Sequence, residues 1–251
     1  MRIDRLFHRN KPRPVVLYVA AGVLVIAICL GLYHTAVNTN KTAGDIPGWS
    51  WVLGGVTVTI DAGHGGVDPG AVGAHSLEKD INLEVAKRLQ LLLRQAGSNV
   101  IMIRETDRDF GTSTSLMQRK REDLAYRIQT AVNSQAKIYL SIHANSFPDE
   151  RQHGPQVFYH PDSEEAKFLA KSIQDSMNKI ATKKREAKAN QSYFILKKTD
   201  MIAVTIEVGF ISNPEEENKL IDSAYQQQLA MAIFEGVGNY LSNDRPVVAD
   251  D

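Results

Sequence analysis

The 251-residue sequence holds one cysteine, Cys29, and no net charge, with 29 basic residues set against 29 acidic ones. A single cysteine excludes disulfide cross-links. Because it falls inside an apolar run, it also leaves the rest of the chain without thiolate chemistry. The core must therefore rest on packing, with a metal as the one other available brace. The charge balance excludes the basic footprint of a nucleic-acid binder. It also hides an asymmetry: the first 14 residues hold five basic and one acidic residue, which leaves the remainder with a net charge of −4. No internal repeat is visible.

Long hydrophobic runs are absent but for one. Val15–Tyr33 is 19 residues without a formal charge, about the length that crosses a bilayer. Arg2, Arg5, Arg9, Lys11 and Arg13 precede it, which predicts a cytoplasmic N-terminus and an extracytoplasmic remainder. A cleaved signal peptide is the rival reading. Its apolar run is shorter, about 7–15 residues, and no small-x-small cleavage site follows. The expected organisation is a basic cytoplasmic segment (1–14), a transmembrane anchor or signal peptide (15–33), a polar tether (34–51), one globular domain (52–242) and a flexible tail (243–251).

From Val56 onward strand and helix signals alternate. Strands are expected at Val56–Ile60, Val100–Arg104, Lys137–His143, Pro155–Tyr159, Tyr193–Leu196 and Ala203–Val208. Helices are expected at Glu78–Ala96, with Ile81, Val85, Leu89, Leu92 and Ala96 on one stripe and Gly97 as the stop, and from a Ser115–Gln118 capping box through Val132. In that second helix Leu124, Ile128, Ala131 and Val132 should face inward. Ser163–Ile180 and Ala224–Leu241 are the remaining helices, and the basic stretch Lys183–Lys188 reads as a solvated loop. Asn213 and Pro214 supply a helix start, as cap and first position. The alternation predicts an α/β, three-layer architecture: a mostly parallel, mixed sheet with helices on both faces. Pro155–Tyr159 follows its predecessor with no helix between, so it is the expected antiparallel member.

In such sheets ligands bind beyond the carboxyl ends of the strands. His64 follows the first strand in "TIDAGHGG", His143 ends "KIYLSIHANS", and Glu207 ends "AVTIEVGF". Glu78 opens the helix after the first loop and can point back at the same rim. Two imidazoles and one carboxylate form a common zinc shell that leaves a fourth position for water. A second carboxylate off the metal is then needed to carry the proton; Glu207, on an apolar strand, suits that role. Gly63, Gly65 and Gly66 keep bulk away from His64, and Asp61 and Asp68 are placed to orient its loop. Each residue has an ordinary alternative. His143 could be a core histidine, Glu78 a helix-start carboxylate favoured by the macrodipole, and Glu207 an ion-pair partner of Lys197 or Lys198. His75 is a rival ligand, and Asn145 could bind a substrate carbonyl or cap a turn.

"VTIDAGHGGVDPGAVG", "EKD", "SIHAN" and "EVGFISNPEE", in this order, resemble the zinc-dependent N-acetylmuramoyl-L-alanine amidases over roughly Val56 to Leu241. The resemblance implies a sheet of about six strands, Zn2+ held by His64, Glu78 and His143, and Glu207 as catalytic acid/base. It implies cleavage of the amide between muramic acid and the first alanine of the peptidoglycan stem. Departures at Gly154-Pro155-Gln156, "RKREDLAYRIQT", Ile202 and "REAK", with the anchor, look like the sporulation-associated, CwlD-like branch. That branch implies action on spore cortex toward muramic-δ-lactam with a partner deacetylase, a site in the cell wall or spore intermembrane space, and room for a protein regulator. Two other functions stay open: a non-catalytic peptidoglycan-binding scaffold of the same fold, and a zinc carboxypeptidase. The latter would use Arg104, Arg108 or Lys197 for a terminal carboxylate.

Overall fold

The computed structural model describes residues 50–198 and 201–242. The expected anchor at 15–33, most of the tether and the tail at 243–251 lie outside them. Among the described residues no helix is long and apolar enough to cross a membrane.

A short α1 (Ser50–Leu53) precedes β1 (Thr57–Ala62), α2 (Glu78–Gln95), β2 (Asn99–Met102), α3 (Leu116–Asn133) and β3 (Ile138–Asn145). β4 (Gln156–Tyr159), α4 (Glu164–Met177), β5 (Lys188–Ala189), α5 (Phe194–Lys197), β6 (Ile202–Phe210), α6 (Pro214–Leu220) and α7 (Ser223–Ser242) complete the described residues. The six strands form one mixed sheet in the order β2-β1-β3-β6-β4-β5. β2, β1, β3 and β6 run parallel, and β4 is antiparallel to β6, as its short connection predicts.

Alternation along the strands gives the sheet two different faces. On one, Val58, Ile60, Ala62, Ile138, Leu140, Ile142, Val204, Ile206 and Val208 are all buried. α2 packs against β1, β2 and β3, α4 against β4 and β6, and α7 lies against both helices. The α2 stripe is the expected one, and Gly97 ends the helix at φ 87°, the left-handed conformation that suits glycine at a helix stop. Full burial of each Leu, Ile or Val here contributes about 1.5–3 kcal/mol.

The opposite face carries Thr59, Asp61, Tyr139, Ser141, His143, Thr205 and Glu207. It is covered by α3 and α5, with Ala131, Tyr139, Phe158, Ile195, Leu196 and Ala203 as its apolar patch. Three expectations fail here. Tyr193–Leu196 is not a strand: Phe194–Lys197 forms one helical turn, which turns adjacent Ile195 and Leu196 both inward. The sixth strand is instead β5, at the end of the stretch read as a basic loop, paired with β4. In α3, Val132 is half exposed while Asp123 and Arg127 are buried. Ser115 makes no side-chain cap; the Gln118 amide donates to Glu122, whose carboxylate already accepts from Thr112 and Ser113.

Candidate active site

Four strand ends and one helix start converge at the carboxyl edge of the sheet. Gly63 continues the ladder, its N–H donating to the Ile142 carbonyl at 2.9 Å. His64 then turns away with φ 62°, a left-handed conformation uncommon for a residue with a side chain. Two buried arginines hold this turn. The Ala62 carbonyl accepts from Arg104 Nε at 2.8 Å and Arg127 Nη1 at 3.0 Å. Gly63 O accepts from Arg104 Nη2 at 2.9 Å, and His64 O from Arg127 Nη2 at 2.7 Å. Buried carbonyls need such partners, so three successive peptide groups are fixed before the imidazole begins.

Arg127 is in turn neutralised by Asp61, which it contacts directly, and by Asp123 at 2.7 Å. Asp61 also accepts from Tyr139 Oη at 2.8 Å. Burial alone would raise the Asp61 pKa, but Arg127 and these hydrogen bonds hold it below the usual carboxylate range. Asp61 thus orients the histidine loop through Arg127 rather than by touching the ring. Asp68 does touch it, its Oδ2 lying 2.9 Å from His64 Nδ1, which leaves Nε2 to face inward.

His64 Nε2 lies 3.1 Å from Glu78 Oε1, and His143 Nδ1 lies 2.9 Å from the same oxygen. The two rings meet edge-on at 5.0 Å. One donor atom from each of the three residues lies within 4.8 Å of the others. Glu78 is buried, and its Oε2 accepts from the Ala71 N–H at 2.7 Å. The loop before Glu78 is tied down from far away: Glu217 on α6 accepts from Ala74 N, His75 N and Ser76 Oγ. His75 itself is exposed and not part of the cluster.

The donor set fits a divalent cation. Burial opposes a charged His64 ring, yet hydrogen bonds to Asp68 and Glu78 raise its pKa to about 9. Burial likewise opposes ionised Glu78, yet the two rings hold its carboxyl far below the usual range. The three groups stabilise positive charge between them, and nitrogen with carboxylate oxygen is the donor chemistry of zinc.

Glycines serve this packing differently from the expectation. A Cβ on Gly63 would collide with the His143 ring, and one on Gly70 would meet Glu78 Oε2 at 2.5 Å and His64 at 2.8 Å. The space is taken by the other members of the cluster rather than left free around His64. Gly65 and Gly66 instead admit the Arg108 carbonyl and Asp109.

Glu207 pairs in register with His143 on the neighbouring parallel strand, so both side chains leave the same face. It is buried, and among the described residues no Lys or Arg pairs with it. Lys197 and Lys198 do not reach it; Oε1 accepts from Tyr193 Oη at 3.0 Å, and Oε2 has no partner. Burial pushes its pKa up to about 7, which suits a group that must both take and give a proton near neutrality. Glu207, the three clustered residues, Asn145, Tyr193 and Phe194 line one open cleft of about 340 Å³, with Lys120 at its edge, 2.9 Å from Asp68.

Arg104, a candidate for binding a substrate carboxylate, is buried and donates to four carbonyls, those of Ala62, Gly63, Lys79 and Thr106. Arg108 lies over the Phe110 ring, and Lys197 lines a different hollow with His160 and Met201. Sequence reasoning missed Arg127 and Tyr193. An aspartate inside the apolar strand β1 was the available signal for a buried arginine; nothing marked Tyr193.

Comparison with known proteins places the domain in a family. Residues 58–239 match the model of the Amidase_3 family, N-acetylmuramoyl-L-alanine amidase. The chain is 38% identical over 197 residues to the germination-specific N-acetylmuramoyl-L-alanine amidase of Bacillus subtilis, covering 77% of this chain and 83% of the relative. It is 33% identical to N-acetylmuramoyl-L-alanine amidase LytC of the same organism, over 74% of this chain but only 36% of that longer protein. Among solved structures, the CwlD amidase of Clostridioides difficile, determined in complex with the GerS lipoprotein, superposes with a TM-score of 0.73 at 37% identity, over 75% of this chain and 100% of that one. The match spans nearly the whole described domain and includes every residue of the cluster, and the chain belongs to the Amidase_3 family of N-acetylmuramoyl-L-alanine amidases.

Proposed function

We propose that this protein hydrolyses the amide between the lactyl group of N-acetylmuramic acid and the L-alanine of the stem peptide. His64 Nε2, Glu78 and His143 Nδ1 would hold a zinc ion, and Glu207 would serve as acid/base. When bound, zinc supplies Lewis acidity toward an amide carbonyl and a water. Glu207 takes the proton of the attacking water and delivers it to the leaving amine nitrogen, its unpartnered Oε2 being the atom free to do so. Asp68 keeps the His64 ring in one tautomer and orientation. The observation that carries the reading is the register that sets Glu207 beside His143, buried and without a cation, at the lip of the His–Glu–His cluster.

The finer assignment is to spore cortex, where removal of the stem peptide precedes muramic-δ-lactam formation by a partner deacetylase. The identity to the germination-specific relative supports it. The lipoprotein bound to the C. difficile enzyme supports a protein regulator here too. The apolar run at 15–33 would hold the domain outside the cytoplasmic membrane.

Mass spectrometry of muropeptides tests the whole reading. The full chain, incubated with zinc and purified cortex or vegetative peptidoglycan, should release free stem peptides starting at L-alanine. Glu207→Gln should retain zinc by atomic emission and lose about 10²–10⁴-fold in turnover. Release of D-alanine alone would identify a carboxypeptidase, and wild-type turnover by Glu207→Gln would remove the acid/base assignment.

A further inference from the structure

We propose that Tyr193 is the positioning residue of Glu207: its hydroxyl, 3.0 Å from Oε1, turns the carboxylate so that Oε2 is the proton-carrying atom. The inference deepens the proposed function and rests on Glu207 being the acid/base.

A glutamate carboxylate rotates about a broad, roughly two-fold terminal torsion. A base needs one oxygen held in a fixed direction, because proton transfer depends on reach and alignment. Glu207 has few groups that could supply this. Among the described residues no Lys or Arg pairs with it, and its buried Oε2 is left without a hydrogen bond. Among the described residues Tyr193 Oη is therefore the hydrogen-bonding anchor of a carboxylate buried at the lip of the His–Glu–His cluster. An oxygen that accepts from Tyr193 and an oxygen that accepts from nothing are not equivalent.

Tyr193 is itself placed with little freedom. It stands immediately before the single turn of α5, and Lys197 N–H donates back to its carbonyl at 3.2 Å. Its ring packs against Phe158 at 5.4 Å, and Phe158 is paired in register with Thr205, two residues before Glu207. Ring and carboxylate are thus fixed to the same pair of strands, β4 and β6. The α5 turn is the element that replaced the expected strand at 193–196. An extended segment would have sent Tyr193 and Phe194 to opposite faces; here both line the cleft.

The test uses the full chain, loaded with zinc, and a soluble muramoyl peptide as substrate. Tyr193→Phe keeps the ring against Phe158 and removes only the donor. A hydrogen bond to a charged group is worth enough to lower kcat about 10- to 100-fold. KM, zinc content and unfolding midpoint should stay at wild-type values, a split that a merely structural role would not give. Unchanged kcat would overturn the proposal, as would an effect confined to KM, which would make Tyr193 a substrate contact, or a loss of zinc. Tyr193→Leu, which lacks both ring and donor, should be at least as slow as Tyr193→Phe; a faster Leu variant would also overturn it. Glu207→Gln in the same assay separates the two failures. If it is inactive while Tyr193→Phe is normal, only the positioning role falls. If it is fully active, the acid/base reading falls and the positioning role with it.

Discussion

The two faces of the central sheet are made by the same strands and have little else in common. Toward α2, α4 and α7 the strands present Val, Ile, Leu and Ala, every one buried. Toward α3 they present Asp61, Ser141, His143, Thr205 and Glu207, and the helix answers with Arg127 and Asp123. The first face is apolar packing. The second is a network of ions and hydrogen bonds whose members are buried almost as deeply. A parallel sheet places alternate residues on opposite sides, so β1, β3 and β6 can be core former and site former at once. The difference between the faces is therefore a division of labour between odd and even positions, and substitutions can test it.

The largest contrast is expected between Leu140→Ala and Arg127→Met. Leu140 belongs to the apolar face, and its truncation should cost about 2–5 kcal/mol in stability while zinc content and kcat, measured well below the midpoint, stay near wild type. Arg127→Met leaves Asp61 and Asp123 buried without their cation, a loss of about 3–5 kcal/mol, and it releases the His64 carbonyl. Zinc retention should fall with stability in that variant. If Arg127→Met binds zinc as tightly as wild type, the polar face is structural only.

Gly63→Ala sharpens the comparison further, because the added methyl group points at the His143 ring rather than into the core. Zinc affinity by competition with a chelator should fall about 10- to 100-fold, the range seen when the groups orienting a ligand are disturbed. Retained affinity would show that the histidine can move without loss.

The smallest expected effect is on acid stability. Asp61 has a lower pKa in the folded chain than its unfolded value near 3.8. The unfolded state then binds the proton more readily. The interaction stabilises the fold fully above that unfolded value, and stability is lost as pH falls through the lower folded one. Thermal unfolding between pH 7 and pH 3 should show a declining midpoint, and Asp61→Asn should start lower at neutral pH but decline less. An equal acid slope in both proteins would mean that Asp61 is not coupled to Arg127 as the geometry indicates.

Much of this contrast could be read before any coordinates. Hydrophobic alternation located β1, β3 and β6, and the strand-end rule brought His64, His143 and Glu207 to one edge. The antiparallel β4 followed from a connection too short for a crossover. What escaped was decided by tertiary partners. Tyr193-Phe-Ile-Leu is a short apolar run, and such runs do not distinguish a strand from a helical turn; burial of both Ile195 and Leu196 chose the turn. Asp123 and Arg127 stand at helical i, i+4 spacing, which ordinarily marks an exposed ion pair. Only the facing Asp61 makes them interior. Val132 lost its inward place to the same demand, since α3 is rotated to bring Arg127 under the histidine loop.

Glu217 carries a consequence for how the domain comes together. Its carboxylate grips the segment that delivers Glu78, across a sequence separation of 142 residues to His75. Contacts so distant form late, after the loop entropy between them has been overcome. A chain emerging N-terminus first would therefore present His64 and His143 before Glu78 is held in place, and the His–Glu–His cluster would be complete only once α6 has docked. The assembled cluster is in this way a property of the finished domain.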